Sequence, residues 1–382
     1  MMKYDVIIIG AGIHGCCTGL QLARRGIKTL IIEKNIAGRH ASGVNAGGVR
    51  TLTRSVHEIP LSLAAMDKWY RLDDLLGADL AENCQFIGHV GQIALAENQA
   101  EIDWCEGRAA ETRALGYDFE EVIDEAEIKR LIPHIADGSV VGGLIARKDG
   151  HANPFRTSQS FRIAAERAGC TIIEGRRVTG FARKQNGWIV ETDGTQFECG
   201  VVVNTAGAWA WKLAEMIGEK FPNTYEALSM MVTARMQKFI DPVVFGLSRA
   251  LSFKQSMDGT LVIGGGILGI PELDNDTSDT VAERLAESAR HICDFFPLLR
   301  QTKIVRTWSG LEAILPDMIP VIGASRVEDN FFHAFGFCGH GFQLGPIVGS
   351  VLTDLIVEGK SSLPIESFSA HRFGEDGMLS TV

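Results

Sequence analysis

The first residues that could do chemistry are Gly10, Gly12 and Gly15, which fall as G-x-G-x-x-G directly after an apolar run. That spacing suits a pyrophosphate. Gly10 permits a tight turn, Gly12 lets the backbone approach the phosphates, and Gly15 lets a helix pack on a strand. Free N–H groups and the dipole at the helix start favour the anion. Glu33 follows some 20 residues on, placed to accept hydrogen bonds from ribose hydroxyls. A carboxylate there repels a 2′-phosphate, so FAD or NAD is expected and NADP is disfavoured. The motif alone does not separate those two.

These residues need a β-α-β unit around them, and the pattern supplies one. Residues 4–9 read as a buried parallel strand. A helix containing Leu20, Leu22 and Ala23 follows and stops at Gly26, and a strand over 28–32 ends at Glu33. The nucleotide fold then returns far down the chain. Residues 154–168 read as a helix closed by Gly169, and 171–174 as a strand. A hairpin over 187–192 and 196–199 turns at Asp193-Gly194. An apolar strand over 201–203 runs into Asn204-Thr205-Ala206-Gly207-Ala208-Trp209. Near the C-terminus a strand over 330–335 precedes Gly336-Phe337-Cys338-Gly339-His340-Gly341-Phe342, and a helix over about 343–358 closes the unit.

Two further segments interrupt this pattern. Residues 86–147 carry strands near 91–96 and 142–146 and a helix near 99–115. Residues 225–305 carry strand-like stretches at 228–237, 252–253 and 260–264. A helix near 280–296 has Val281, Leu285, Ala289 and Ile292 on one face.

Composition excludes several classes. The 382 residues carry a net charge of −10, without the basic footprint that a nucleic acid requires. No apolar run reaches the 18 or so residues of a membrane span, and the apolar start lacks a signal-peptide pattern. Eight cysteines form neither C-x-x-C nor a zinc spacing, and ten histidines form no metal-binding pair. A reducing cytoplasm and no metal are expected. Glycine, at 42 residues, is well above the usual level of about 7%.

Five segments together carry a resemblance: DVIIIGAGIHG, Asp149-Gly150-His151-Ala152-Asn153-Pro154, VVNTAGAWA, Trp308-Ser309-Gly310 with PDMIPVIG, and GFCGHGFQLGP. In order and spacing the chain is similar to flavin amine oxidoreductases of the D-amino acid oxidase superfamily, the branch holding glycine oxidase, sarcosine oxidase and dimethylglycine dehydrogenase. The resemblance implies an α/β plus antiparallel β fold with FAD as cofactor. A Rossmann-like FAD-binding domain of residues 1–85, 148–224 and 306–382 would interleave with a substrate domain of 86–147 and 225–305 on a mixed or antiparallel sheet. It also implies oxidation of a C–N bond by hydride transfer to flavin N5, giving an imine that hydrolyses. The last helix would point its N-terminus at the flavin, where its dipole stabilises the reduced form.

The resemblance further implies where FAD is held. The residues are Gly10, Gly12, Ile13, His14, Gly15, Glu33, Lys34, Ser42, Asn45, Ala46, Gly47, Gly48, Val178, Ala206, Gly207, Trp209, Gly310, Gly339, His340, Gly341, Phe342 and Gln343. Catalytic or substrate-binding candidates are Arg50, Arg54, His340, Gln343 and Glu312. Arg50 matches a flavin-side arginine, and His340 the histidine of a G-H-G-F motif. Three family positions depart: Thr53 stands where a carboxylate-binding arginine is expected, with Arg54 one place later. Gln343 replaces a lysine, and Glu312 an arginine. A glutamate there repels a substrate carboxylate and could instead bind a cationic group. These departures argue against plain sarcosine, glycine or a simple D-amino acid, and towards bulkier N-substituted or imino acids such as opines or hydroxyproline. Ser229-Met230-Met231-Val232-Thr233 and Asn45-Ala46-Gly47-Gly48 also resemble β subunits of heteromeric dehydrogenases, in which a partner subunit takes the electrons; oxygen is the other outlet. Cys338 reads as unlinked to flavin. An electron-relay module without a substrate is the reading from another class. The tRNA-modifying branch is disfavoured by charge.

Overall fold

The computed structural model describes residues 2–379. Its two large sheets have eight strands each. In the first, six strands run in the order Val321–Ala324, Phe331–Phe335, Gln196–Asn204, Met2–Ile9, Thr29–Ile32, Thr171–Ile173, and Gly187–Thr192 with Val178–Lys184 branches from Gln196–Asn204. The last five of those six run parallel. Parallel strands need apolar cover on both faces, and the first strand provides it by alternation. Val6 and Ile8 join the core under helices Ile13–Arg24 and Gly341–Glu358, while Ile7 and Ile9 join the opposite core. The chain crosses from one half of the sheet to the other at Met2–Ile9, so the crevice at that strand's carboxyl end is the expected ligand site.

One difference from the sequence pattern is instructive. Residues 196–199 and 201–203 form one unbroken strand, Gln196–Asn204, with Gly200 inside it. The first strand pairs on both sides of the glycine in one register, Met2↔Phe197 to Tyr4↔Cys199 and Val6↔Val201 to Ile9↔Asn204, and that keeps the chain extended through it.

The second sheet has the order Ile304–Ile314, Thr224–Thr233, Leu261–Gly264, Ser252–Gln255, Val243–Gly246, Gln92–Ala96, Gly142–Ala146, Glu121–Asp124. It is mixed, because Val243–Gly246 runs parallel to Gln92–Ala96 while every other pair is antiparallel. Residues 304–314 are its edge strand, so the division drawn at residue 305 cuts through a strand; this sheet extends to Ile314. One face packs on helix Ala282–Phe295 through Leu285, Ile292 and Phe295. The other faces the first sheet across the cavity described below. Among the described residues no helix is long and apolar enough to cross a membrane.

Helices Ile13–Arg24 and Gly341–Glu358 both aim their N-termini at that cavity, and small residues let them touch. A Cβ on Gly345 would lie 2.7 Å from Ile13, and one on Gly349 would lie 2.6 Å from the Cys17 carbonyl carbon. Gly349→Ala should therefore cost about 1–3 kcal/mol by overpacking. Chemical denaturation with FAD in excess measures this; an unchanged midpoint would mean that the helices separate without penalty.

Candidate active site

A single cavity of about 820 Å³ runs between the sheets from the Gly10–Gly12 turn to the second sheet. That is within the range of cofactor and ligand sites. Every expected cofactor and catalytic residue lines it except Gly15 and Gln343. Gly15 is turned into the contact between helix and strand. Gln343 is fully buried against the helix Ile59–Trp69, where its Nε2 donates to Ser62 O at 2.8 Å and its Oε1 accepts from Ser62 Oγ at 3.2 Å. A helix turn carries it away from the cavity, so its expected place at the substrate or cofactor is not where the structure puts it.

At the nucleotide end, Gly10 adopts φ +102°, a conformation that side chains rarely permit. Ser42 Oγ accepts from Ile13 N–H at 3.0 Å and ties the turn to residues 41–44. Glu33 Oε2 accepts from Ala11 N–H and Oε1 from Asn35 N–H, each at 2.8 Å. Burial raises its pKa, and those bonds oppose the rise. Its remaining lone pairs are available to a ribose. His14 stacks on Phe337 at 3.8 Å and its buried Nε2 has no partner. Burial pulls it down to about 3, so it stays neutral. An orphaned polar atom beside an anion-binding turn fits an FAD that supplies the missing contact.

Lys34, expected only as a cofactor contact, has a second task. It lies over the Trp209 ring, and its Nζ meets Asp276 Oδ1 at 2.5 Å. Arg177 Nη2 meets the other oxygen at 2.6 Å. Asp276 sits in the turn of a hairpin between Ile270–Glu272 and Thr277–Asp279. The same turn is held by Lys212 on Asp274 at 2.6 Å and by Trp209 Nε1 on Leu273 O at 3.0 Å. All four anchoring residues line the cavity, so the hairpin straps its nucleotide end. Asp276→Asn should speed FAD release roughly tenfold, about 1.4 kcal/mol, and blunt the acceleration by salt. FAD fluorescence on dilution reads both; release that ignores the substitution would show that the strap does not retain the cofactor.

At the far end, the loop carrying Arg50 and Arg54 is fixed by Asp149, whose segment carries part of the resemblance without an assigned role, and by Glu120, which no motif marks. The buried Asp149 carboxylate accepts from Thr51 N–H, Thr51 Oγ1 and Leu52 N–H at 2.7–3.0 Å. Glu120 accepts from Thr53 N–H at 2.6 Å and from Arg108 Nε at 2.8 Å. Together they hold Thr53 at φ +58°, a strained conformation for a β-branched residue. Arg50 Nη1 donates to Leu52 O at 3.0 Å and Thr53 Oγ1 at 2.9 Å. Arg54 is 2% exposed, yet its Nη1 has no partner. Burial and the neighbouring Arg50 pull its pKa down to about 9, which still leaves it charged at neutral pH.

The turn before helix Gly341–Glu358 joins these groups. Arg54 Nη2 lies 3.4 Å from His340 O, and Gly339 N–H donates to Glu312 Oε1 at 2.7 Å. His340 Nδ1 lies 3.2 Å from Glu58 Oε2. Burial raises the Glu58 pKa, but His340 and the two arginines outweigh it and hold the carboxyl low. Burial, then Arg54, pulls His340 down to about 4. A neutral His340 beside an ionised Glu58 carries its proton on Nδ1. Gly310 has no room for a side chain, since its Cβ would lie 2.3 Å from Val44. Cys338 Sγ donates to Gly336 O at 3.1 Å and accepts from Leu315 N–H at 3.4 Å. From the second sheet come Gln92, whose buried Oε1 is unpartnered, and Lys254. Lys254 Nζ donates to Ala152 O at 2.6 Å, and burial pushes it down to about 7. No local motif marks either residue. Among the described residues no cluster could hold a metal.

The family model described as DAO, FAD dependent oxidoreductase, matches residues 5–355. The β subunit of sarcosine oxidase from Rhodobacter capsulatus is 30% identical over 98% of this chain and 89% of its own length. Glycine oxidase from Geobacillus kaustophilus is 26% identical over 97% of each chain. The crystal structure of L-proline dehydrogenase from P. horikoshii superposes with a TM-score of 0.89 at 26% identity, covering 99% of this chain and all of that one.

Proposed function

As the chain belongs to the FAD-dependent oxidoreductases of the DAO family, we propose that it oxidises the C–N bond of an amino-acid-like substrate, with a secondary or imino amine preferred. The observation that carries this reading is the unpartnered Nη1 of buried Arg54, which lines the cavity beside the turn at Gly339–His340. Glu58 and Asp149 lie close enough to help keep Arg54 charged, but a buried guanidinium N–H without an acceptor is costly unless a ligand anion pairs with it, and a substrate carboxylate is that anion. FAD, bound along the cavity, supplies the two-electron acceptor. Arg54 and Arg50 anchor the carboxylate, and the neighbouring walls orient the C–H bond next to nitrogen and exclude water. Loss of that hydrogen with its electron pair leaves a C=N bond that water hydrolyses.

The relatives named for sarcosine, glycine and L-proline support an amine or amino acid as the substrate. Thr53 and Glu312 argue for a substrate bulkier than sarcosine or glycine, such as an opine or a hydroxyproline-like imino acid. All eight cysteine thiols are unpaired, which supports a reducing compartment such as the cytoplasm. Anaerobic bleaching of bound FAD tests the reading across sarcosine, proline and hydroxyproline isomers, D-amino acids and opines. Bleaching by one class selects the substrate. No bleaching by any, with FAD stoichiometric, would refute the reading for the isolated chain. The likeness to a β subunit favours a second possibility, in which a partner subunit receives the electrons. Slow reoxidation by air with rapid reoxidation by an artificial acceptor would support it.

A further inference from the structure

Oxidation of an amine needs the nitrogen lone pair, so an ammonium substrate must first lose a proton. We propose that Glu312 is the catalytic base that removes this proton, with Glu226 opposite it tuning its basicity; this rests on the amine-oxidation reading above. Glu312 lies on the edge strand of the second sheet, in direct antiparallel register with Glu226 on Thr224–Thr233, and both line the cavity. Residues paired this way have Cβ atoms about 5 Å apart, and like charges there destabilise the sheet. The pair therefore favours holding a proton or a cation between them. Gly339 N–H fixes Oε1, while among the described residues none hydrogen-bonds Oε2.

Position relative to Arg54 completes the argument. Arg54 reaches His340 O, and Glu312 receives the N–H of Gly339, the adjacent residue of the same turn. A guanidinium and a carboxylate flank one turn, as the carboxylate and ammonium of an amino acid require. The competing groups serve poorly. His14, His40 and His340 are held down to about 3, 4 and 4, chiefly by burial, and are weak bases. Lys254 donates to Ala152 O beside Gly47. Burial pushes Glu312 up to about 7; Gly339 opposes this and Glu226 adds to it. The charged or titratable neighbours are Glu226 from the adjacent strand and Cys338 from the turn, with Arg54 and His340 beyond.

The step balances. An N–H bond of the ammonium breaks and an O–H bond forms on Glu312, neutralising both charges. The α C–H bond then breaks, its hydrogen leaving with both electrons as hydride to FAD, and the nitrogen lone pair forms the C=N bond of an iminium.

Anaerobic stopped-flow reduction of the holoenzyme from acid to alkaline pH tests this. In the wild type the rate should rise through a midpoint near 7. Glu312→Gln should remove that rise, lower the rate at neutral pH by about 10²-fold or more, and recover above the substrate's own amine pKa. Glu226→Gln should move the midpoint to lower pH. A rise retained in Glu312→Gln, or a loss equal at every pH, would overturn the proposal. Should Glu312→Gln fail to retain FAD, an unmoved midpoint in Glu226→Gln would overturn it instead. Failure of the wild type to bleach with any amine would refute the underlying amine-oxidation reading, which is a separate outcome.

Discussion

Replacing Arg54 with methionine should lower kcat/KM for an amino-acid substrate by roughly 10²- to 10³-fold, about 3–4 kcal/mol. The effect is large because Arg54 is buried and Nη1 awaits a partner. The substrate carboxylate would then be desolvated with only Arg50 to pair it. Arg54 also has a scaffold role, since Nε lies 3.2 Å from Arg50 O and Nη2 contacts His340 O and Gln343 Oε1 at 3.4 Å. A decarboxylated analogue of the substrate separates the two roles. If Arg54 binds the carboxylate, the analogue should react comparably with wild type and variant. An equal loss for analogue and substrate would leave only the scaffold role. Retention of FAD in the variant, read from its absorbance, is the necessary control.

Gly15→Val should yield a protein that folds poorly and does not retain FAD. A Cβ at Gly15 would lie 2.0 Å from Gly10 O and 2.8 Å from Thr205 Oγ1. The first of these is backbone, and it belongs to the turn that must present N–H groups to the pyrophosphate. Thr205 Oγ1 already donates to Ile9 O and Gly10 O, so it has little freedom to retreat. The helix start must move, at a cost of about 1–3 kcal/mol or more from overpacking. Gly12→Ala is the comparison: its Cβ would meet the side-chain oxygen of Ser42 at 2.9 Å, which can rotate away at the expense of one bond, that from Ile13 N–H. FAD content and thermal midpoint should fall much further for Gly15→Val. Full FAD content in that variant would mean that the close approach is not required.

Much of the cofactor site was legible because it is local. The turn from Gly10 to Gly15, Glu33 at the end of the second strand, and the glycine-rich approach to the last helix each need only their own neighbours. Gln343 was misleading for a related reason. The motif fixes its place along the helix, whereas the angle at which that helix packs on Ser62 and Trp69 decides which way the side chain turns.

The amino-acid sequence by itself determined the β-α-β unit and the glycine turn with Glu33 at the end of the next strand, whereas the grouping of Arg50, Arg54, Glu312 and His340 was implied by family resemblance and the fold lines one cavity with them. Hydrophobic period, turn chemistry and motif spacing act over a few residues, so they survive in one dimension. Tertiary structure alone decided that Ile304–Ile314 joins the second sheet, that Glu226 faces Glu312, that Asp276 reaches Lys34 and Arg177, and that Lys254 is buried without a carboxylate partner. Each of those is a pairing between residues far apart in the chain. Their energies come from strand register, burial and charge proximity, which exist only once the two sheets have closed over the cavity.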